Sequence, residues 1–335
     1  MTYLVSILIP AYNAEKWIGQ TMLSAINQTW PNKEIIVVDD GSSDSTFEVA
    51  KGLESPSVKV VRQINAGACA ARNMALSLAQ GDYIQWLDAD DLLHPEKISR
   101  QLAQRGDAGS LTLLTSAWGK FFFRPEKAKF IPDSLWQDLA PVDWIMTKFS
   151  NNVWMNPAVW LVSRRLTELA GFWDERLASS GDDDGEYICR VVAQSSDVKF
   201  VRDARCCYRI GTVGSLNWNM ERDAKSLAAL VLSLSLSIDH LRALEDSERT
   251  RAAGIKYLQF FLPSFYGTDE ALTKKIEELA NELGGKLVSP KTSWKYLPVE
   301  MAFGKSAAKR VMNNWRAAKL LAYGTWDKFL FYLTR

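Results

Sequence analysis

Residues 81–92 read GDYIQWLDADDL, an apolar and aromatic run that empties into Asp88, Asp90 and Asp91. A short apolar run bounded by turn residues is the mark of a strand buried on both faces. Three similar runs precede it, Tyr3–Ile9 (YLVSILI), Glu34–Asp40 (EIIVVDD) and Val58–Arg62 (VKVVR), and Asp82–Asp88 is the fourth. Between them, residues 14–28, 44–53 and 66–80 carry helical patterns. Strands alternating with helices predict a parallel sheet covered on both faces. Ligands of such sheets sit at the carboxyl ends of the strands. Polar residues collect at those ends: PAYN at 10–13, DDGSSDS at 39–45 and DADD at 88–91. One rim of the sheet is built to hold something polar.

Further strands are expected at 111–117 (LTLLTSA) and 158–164 (AVWLVSR), separated by an aromatic, Pro-containing segment. Beyond about residue 220 the pattern turns helical over 221–253, 269–285 and 304–333. The period-2 run LVLSLSLSI within the first of these fits a strand as well, but its flanks are helical. Its most apolar part, LAALVLSLSLSI, has twelve residues, fewer than a bilayer span needs.

Composition narrows the chemistry. With 40 Lys and Arg against 39 Asp and Glu, the net charge is +1, and no nucleic-acid partner is expected. Cys69, Cys189, Cys206 and Cys207 form no CxxC pair, and only His94 and His240 are present. A zinc site, a disulfide framework and Ser-His-Asp chemistry are therefore not expected. The first ten residues lack the basic start of a signal peptide. A reducing, cytoplasmic setting follows.

Two carboxylates flanking one residue at a strand end can grip a hard cation, Mg²⁺ or Mn²⁺, whose shell is completed by water and phosphate oxygens. Such an ion neutralises charge on a departing diphosphate. The alternative for Asp88–Asp91 is a solvated turn or a helix cap; the shared rim favours the cation. Asp39 and Asp40 divide in the same way between capping the next helix and bonding a base or ribose. Neither GxGxxG nor GxxxxGK[ST] occurs, which removes the dinucleotide fingerprint and the P-loop.

Four motifs in order resemble a family 2 glycosyltransferase of the GT-A fold. They are VSILIPAYNAEKWIGQTMLSAINQTW, EIIVVDDGSSDST, NAGACAARNMALSLAQGDYIQWLDADDLLHPEKI and LAGFWDERLASSGDDDGEYICRVV, and the likeness runs from about residue 3 to about 210. It implies an α/β fold with a mixed sheet flanked by helices, a catalytic domain over 1–217 and a helical C-terminal region over 218–335. It implies an inverting enzyme moving sugar from a nucleoside diphosphate, UDP being favoured, to a hydroxyl of a glycan or lipid-linked acceptor. Pro10, Ala11, Tyr12 and Asp40 match nucleoside contacts, Arg72 a basic position near the nucleotide, and Asp88 and Asp90 the DxD, with Asp90 the metal ligand. The usual Glu-Asp pair lies six residues ahead of an arginine. Counting back from Arg190 gives Asp183-Asp184, so Asp184 is the expected base. The pattern departs from the family in carrying three consecutive acids with Glu186 nearby, which leaves the register open by one or two positions.

Arg209 falls near a loop, 206–217, that closes over the diphosphate in relatives; pairing with phosphate and an ordinary surface arginine are its two readings. The last 31 residues carry seven Lys/Arg and one Asp among six Trp, Tyr and Phe. A membrane-surface helix at the inner face and a helix packed on the catalytic domain with its aromatics buried both fit, and packing is favoured. A sugar-phosphate nucleotidyltransferase would need a Gly-rich basic loop after the first strand, which PAYNAEKW lacks. A non-catalytic nucleotide-sugar-binding module stays open because of the irregular DDDGEY.

Overall fold

The computed structural model describes residues 3–105, 111–211, 223–266, 268–290 and 293–333. Nine strands form one sheet: β1 Val5–Ala11, β2 Lys33–Asp39, β3 Val58–Arg62, β4 Tyr83–Trp86, β5 Leu92–Leu93, β6 Thr112–Phe121, β7 Lys129–Phe130, β8 Leu161–Ser163 and β9 Asp197–Arg209. The order is β3-β2-β1-β4-β8-β6-β9-β5, with β7 paired to β6. β1 to β4 are mutually parallel, β8 runs antiparallel to both β4 and β6, and β9 lies parallel to β6. This is the expected mixed α/β sheet.

The inner strands read as unbroken apolar runs because both faces are covered: Val5, Ile7, Leu8, Ile9, Val37 and Val38 are completely buried. Each such side chain stabilises the fold by roughly 1.5–3 kcal/mol. β1 continues two residues beyond the expected end, taking Pro10 and Ala11 into the strand. Pro10, which has no N–H to give, is tolerated because pairing with β4 stops at Leu8 and only β2 remains alongside.

The helices are α1 Ile18–Ile26, α2 Thr46–Lys51, α3 Ala68–Leu78, α4 Lys97–Ala103, α5 Pro141–Asn151, α6 Arg164–Ala170, α7 Asp183–Gln194, α8 Ala224–Leu244, α9 Glu248–Phe265, α10 Glu270–Glu282, α11 Leu297–Phe303 and α12 Lys305–Leu333. The helical pattern over 221–253 is broken after Leu244, and Ser247 starts α9 through a capping box with Thr250. α8 includes the period-2 run as helix. At 21 residues it is long and apolar enough to cross a membrane, unlike the twelve-residue run read from the sequence, yet half of its apolar window is buried inside the protein. Leu227, Leu230, Leu234, Ile238 and Leu241 join the core shared with the sheet. The expected domain boundary at 217/218 lies outside the described residues.

The C-terminal expectation needs correcting. α12 does touch the body, but Trp315, Tyr323, Trp326, Phe329 and Tyr332 are exposed rather than buried.

Candidate active site

The rim begins at Ala11, whose carbonyl accepts the Asp40 N–H (2.8 Å). Tyr12 follows, half exposed. Asp40 is buried and its carboxylate accepts three bonds, from Gln63 Nε2 (2.7 Å), the Ala66 N–H (2.9 Å) and the Gly67 N–H (2.9 Å). A carboxylate has about four acceptor positions, so one more donor fits. Those three bonds also fix the turn that launches α3. Gly67 has φ +96°, a left-handed conformation that suits glycine. Asp39 does not cap α2, which begins at Thr46 with Ser45 as its N-cap. Its Oδ2 accepts from the Ser42 N–H in the turn (3.3 Å) and pairs with Arg62 (3.0 Å), while its buried Oδ1 has no partner among the described residues.

α3 carries Arg72, the hub of the site. Its Nη1 bonds Asp183 Oδ2 at 2.6 Å and its Nη2 bonds Asp88 Oδ1 at 3.0 Å. The guanidinium lies 4.3 Å from the Trp173 ring centre. Burial works against its charge, but Asp88 and Asp183 outweigh it and hold the Arg72 pKa above its ordinary value. One cation thus joins the end of β4 to the start of α7, two stretches 95 positions apart in the sequence.

The acids after β4 differ from one another. Asp88 is partly open to solvent. Asp90 accepts the Arg209 Nε–H at its backbone carbonyl (2.9 Å). Asp91 is completely buried and its Oδ1 accepts the Arg209 N–H (2.8 Å). Burial, then the charges of Asp90 and Asp88, push the Asp91 carboxyl well above the usual range.

The acids at the start of α7 are equally divided. Asp182 Oδ2 accepts from Ser233 Oγ (2.9 Å) and Tyr257 OH (3.0 Å), and the Tyr257 hydroxyl accepts in turn from Lys148 Nζ (3.1 Å). Asp183 holds Arg72. Glu186 is buried between Arg190 (2.9 Å) and His240 (2.9 Å); burial opposes its charge, and those two partners overcome it and lower its pKa. No side chain hydrogen-bonds to the Asp184 carboxyl among the described residues. Burial, followed by the charges of Asp183 and Asp182, pushes it up to about 8. Asp182, Asp183 and Glu186 are thus each held by named partners. Gly185 is required here, since a Cβ would lie 2.1 Å from Asp182 Oδ1.

α7 is seated by aromatic packing. Trp173 and Tyr187 stack with ring centres 4.0 Å apart, and Trp86, two residues before Asp88, meets both rings edge-on. Arg190 Nη1 also bonds the carbonyls of Ala170 and Phe172 (2.6 and 2.7 Å), tying the GFWDE turn to the helix.

Arg209 is not an ordinary surface arginine. It is buried, sandwiched by Trp17 (4.0 Å) and Phe121 (4.4 Å), and its guanidinium donates to Asp90 O, Phe122 O and Gln20 Oε1. Burial lowers its pKa to about 10. Of the expected closing loop, 206–217, residues 212–217 lie outside the described residues.

Sequence reading missed Ser233, Tyr257, Lys148 and His240. They reach the α7 acids from other helices, and no local pattern announces a contact of that range. For a cation, the described residues contain no group of three or more His, Cys, Asp or Glu able to hold one. Mg²⁺ and Mn²⁺ need only one or two carboxylates when phosphates complete the shell, so the pair Asp88 and Asp90 fits that donor chemistry.

The sequence model of Glycosyl transferase family 2 matches residues 6–113. An uncharacterized glycosyltransferase of Haemophilus influenzae is 42% identical over 102 residues, which cover 30% of this chain and 41% of that protein. The UDP-Glc:alpha-D-GlcNAc-diphosphoundecaprenol beta-1,3-glucosyltransferase WfgD of Escherichia coli is 41% identical over 102 residues, 30% of this chain and 40% of that one. Each of these two matches thus spans less than half of the relative. Glycosyltransferase GlyG of Streptococcus pneumoniae is 27% identical over 303 residues, 81% of this chain and 98% of that protein. Among solved structures, S. aureus TarS with UDP-GlcNAc has a TM-score of 0.56 at 16% identity, covering 94% of this chain and 92% of that one. The mannosyltransferase PcManGT of Pyrobaculum calidifontis, with GDP-Man and Mn²⁺, also scores 0.56 at 16% identity, covering 98% and 88%. These structural likenesses establish the fold.

Proposed function

The chain carries a family 2 glycosyltransferase domain on a GT-A fold, and from that premise we propose an inverting, metal-dependent transfer of sugar from a UDP-sugar to the hydroxyl of a lipid-linked or growing glycan. The observation that carries the reading is the double salt bridge of Arg72, which brings the acids after β4 beside those of α7. Leaving group and proton acceptor then share one cleft.

Pro10, Ala11, Tyr12 and Asp40 receive the nucleoside, with the remaining acceptor position of Asp40 offered to a base N–H. Asp88 and Asp90 would hold Mg²⁺ or Mn²⁺, which when bound would neutralise charge on the leaving diphosphate. Arg72 fixes Asp88 and adds positive charge beside the nucleotide. Asp184 takes the proton of the acceptor hydroxyl as it attacks the anomeric carbon from the face opposite the diphosphate. A carboxyl at about 8 is a strong enough base for that task near neutrality. WfgD is named for a UDP-Glc donor and a diphosphoundecaprenol-linked acceptor, and PcManGT was solved with Mn²⁺, which supports the donor class, the acceptor class and the ion. Four unpaired thiols suit a cytoplasmic setting.

Donor turnover tests the proposal. With Mn²⁺ and a panel of nucleotide sugars, one donor should yield UDP, and yield it faster when acceptor is added. Release of pyrophosphate instead, or no UDP from any donor, would refute it.

A further inference from the structure

α12 presents two unlike faces. Its inner side is tied to the turn after β6: Asp327 accepts from the Phe123 N–H (2.9 Å) and from Arg124 Nε (2.8 Å), and Phe331 lies against Phe123. Its outer side carries Val311, Trp315, Ala318, Ala322, Trp326, Phe329 and Leu333, spaced three or four residues apart and so aligned on one stripe. Trp315 is 68% exposed, Trp326 62% and Phe329 52%. Of the twenty-four large apolar side chains exposed among the described residues, twelve lie within 294–333. A stripe of that size on water is a docking surface rather than a packing accident.

Charge identifies what docks. From Lys305 onward there are seven Lys and Arg against one Asp, and that Asp is neutralised by Arg124 within the protein. The preceding 304 residues hold 33 Lys and Arg against 38 Asp and Glu. The body is acidic and its last helix basic. A second copy of this stripe would set like charges against each other, whereas an anionic bilayer attracts the helix and repels the body. Trp, Tyr and Phe beside Lys and Arg are the side chains that settle at headgroup depth.

We propose that α12 lies flat on an anionic phospholipid surface, with Trp315, Trp326, Phe329 and Leu333 inserted among the headgroups and Arg310 and Lys319 at the phosphates. The inner side of α12 is linked to the acids by a chain of contacts. Phe123, which α12 grips, packs on Trp17 (5.3 Å); Trp17 packs on Arg209, and Arg209 bonds Asp90 and Asp91. Docking itself does not depend on the transferase reading. What it adds to that reading is the delivery of a lipid-linked acceptor at the plane where its headgroup sits.

Co-sedimentation of the full chain with phosphatidylcholine vesicles, with and without phosphatidylglycerol, tests this without donor or acceptor. Binding should require phosphatidylglycerol and weaken with added salt. Trp315→Ser, Trp326→Ser and Phe329→Ser combined should lower it at least about tenfold. Arg310→Gln with Lys319→Gln, which removes no aromatic ring, should lower it roughly fivefold per charge. UDP release in the absence of acceptor should be unchanged in both variants, so failure of docking is distinguishable from failure of the donor chemistry. Wild-type chain left in the supernatant, binding retained in full by the triple variant, or a dimer in sedimentation equilibrium that the triple variant abolishes would overturn the proposal, the last in favour of a second copy.

Discussion

Two acid triplets meet in this molecule, Asp88/Asp90/Asp91 after a strand and Asp182/Asp183/Asp184 before a helix, and they are organised alike. Each gives one member to the fold: Asp91 clips β9 through the Arg209 N–H, and Asp182 receives Tyr257 and Ser233. Each gives one to Arg72, namely Asp88 and Asp183. The remaining members, Asp90 and Asp184, are those to which we assign chemistry. They differ in setting. Asp88 and Asp90 lie partly open on the rim where a cation would sit, while Asp184, itself half-buried, is pushed up to about 8 by desolvation and by the charges of Asp183 and Asp182. Concentrated carboxylate charge is sustained here by dividing labour among the acids, and burial decides which of them stays protonated.

Asp184→Asn should break this symmetry most severely. It should lower kcat by about 10³-fold with donor KM retained, as expected for loss of a general base. In the wild-type protein, kcat should climb with pH up to about 8 and then level, and this limb should vanish in the variant. The stability effect has the opposite sign. A carboxyl whose pKa is raised by folding stabilises most below the ordinary carboxylate range and loses that contribution as pH rises through about 8. Asp184→Asn should therefore unfold at higher temperature than wild type at pH 9. A variant of equal activity, or one of lower thermal stability at that pH, would remove Asp184 from its role.

Asp90→Ala should come next. It should weaken Mn²⁺-dependent donor binding, followed by titration calorimetry, by at least the ten- to hundredfold that outer partners of metal ligands typically cost. Unchanged Mn²⁺ dependence would shift the metal assignment away from this triplet. Tyr257→Phe removes one donor to Asp182 and should cost about 1 kcal/mol in urea unfolding while leaving donor KM alone. A loss of turnover as large as that of Asp184→Asn would instead make Asp182 the reacting acid. The smallest effect belongs to Asp91→Asn. Burial, then the charges of Asp90 and Asp88, already push its carboxyl well above the usual range, and an amide oxygen still accepts from Arg209, so stability at pH 7 should change by less than about 0.5 kcal/mol. A loss of several kcal/mol would mean that Asp91 is ionised.

Much of this architecture is legible in the chain itself. β1 to β4 are buried on both faces, so their apolar runs stand out, and the polar rim follows from where those runs stop. Counting back from Arg190 leads to Asp184, and that arginine has a structural part of its own: its bonds to the carbonyls of Ala170 and Phe172 tie α7 to the GFWDE turn. The thirteen-residue β9 escaped because DVKFVRDARCCYR has no steady alternation; a register shift opposite Ser116 and Ala117 interrupts it. The surroundings of Asp182 and Arg209 escaped for a different reason. They are made by residues far away in the sequence, and burial by a distant helix leaves no periodic trace.

The irregularity in β9 also bears on how the chain tolerates changes of length. Ser116 pairs with Val201 but Ala117 pairs with Arg205, so Arg202, Asp203 and Ala204 are additional residues on one strand only. They look like dispensable slack, yet side chains alternate faces along a strand. With the geometry of the bulge kept, removing a single one of them would turn Arg209 away from Asp91 and Trp17 and bring Ile210 into its place. A deletion there would read in an alignment as a trivial gap and act in the molecule as a reversal of the wall that carries the acids.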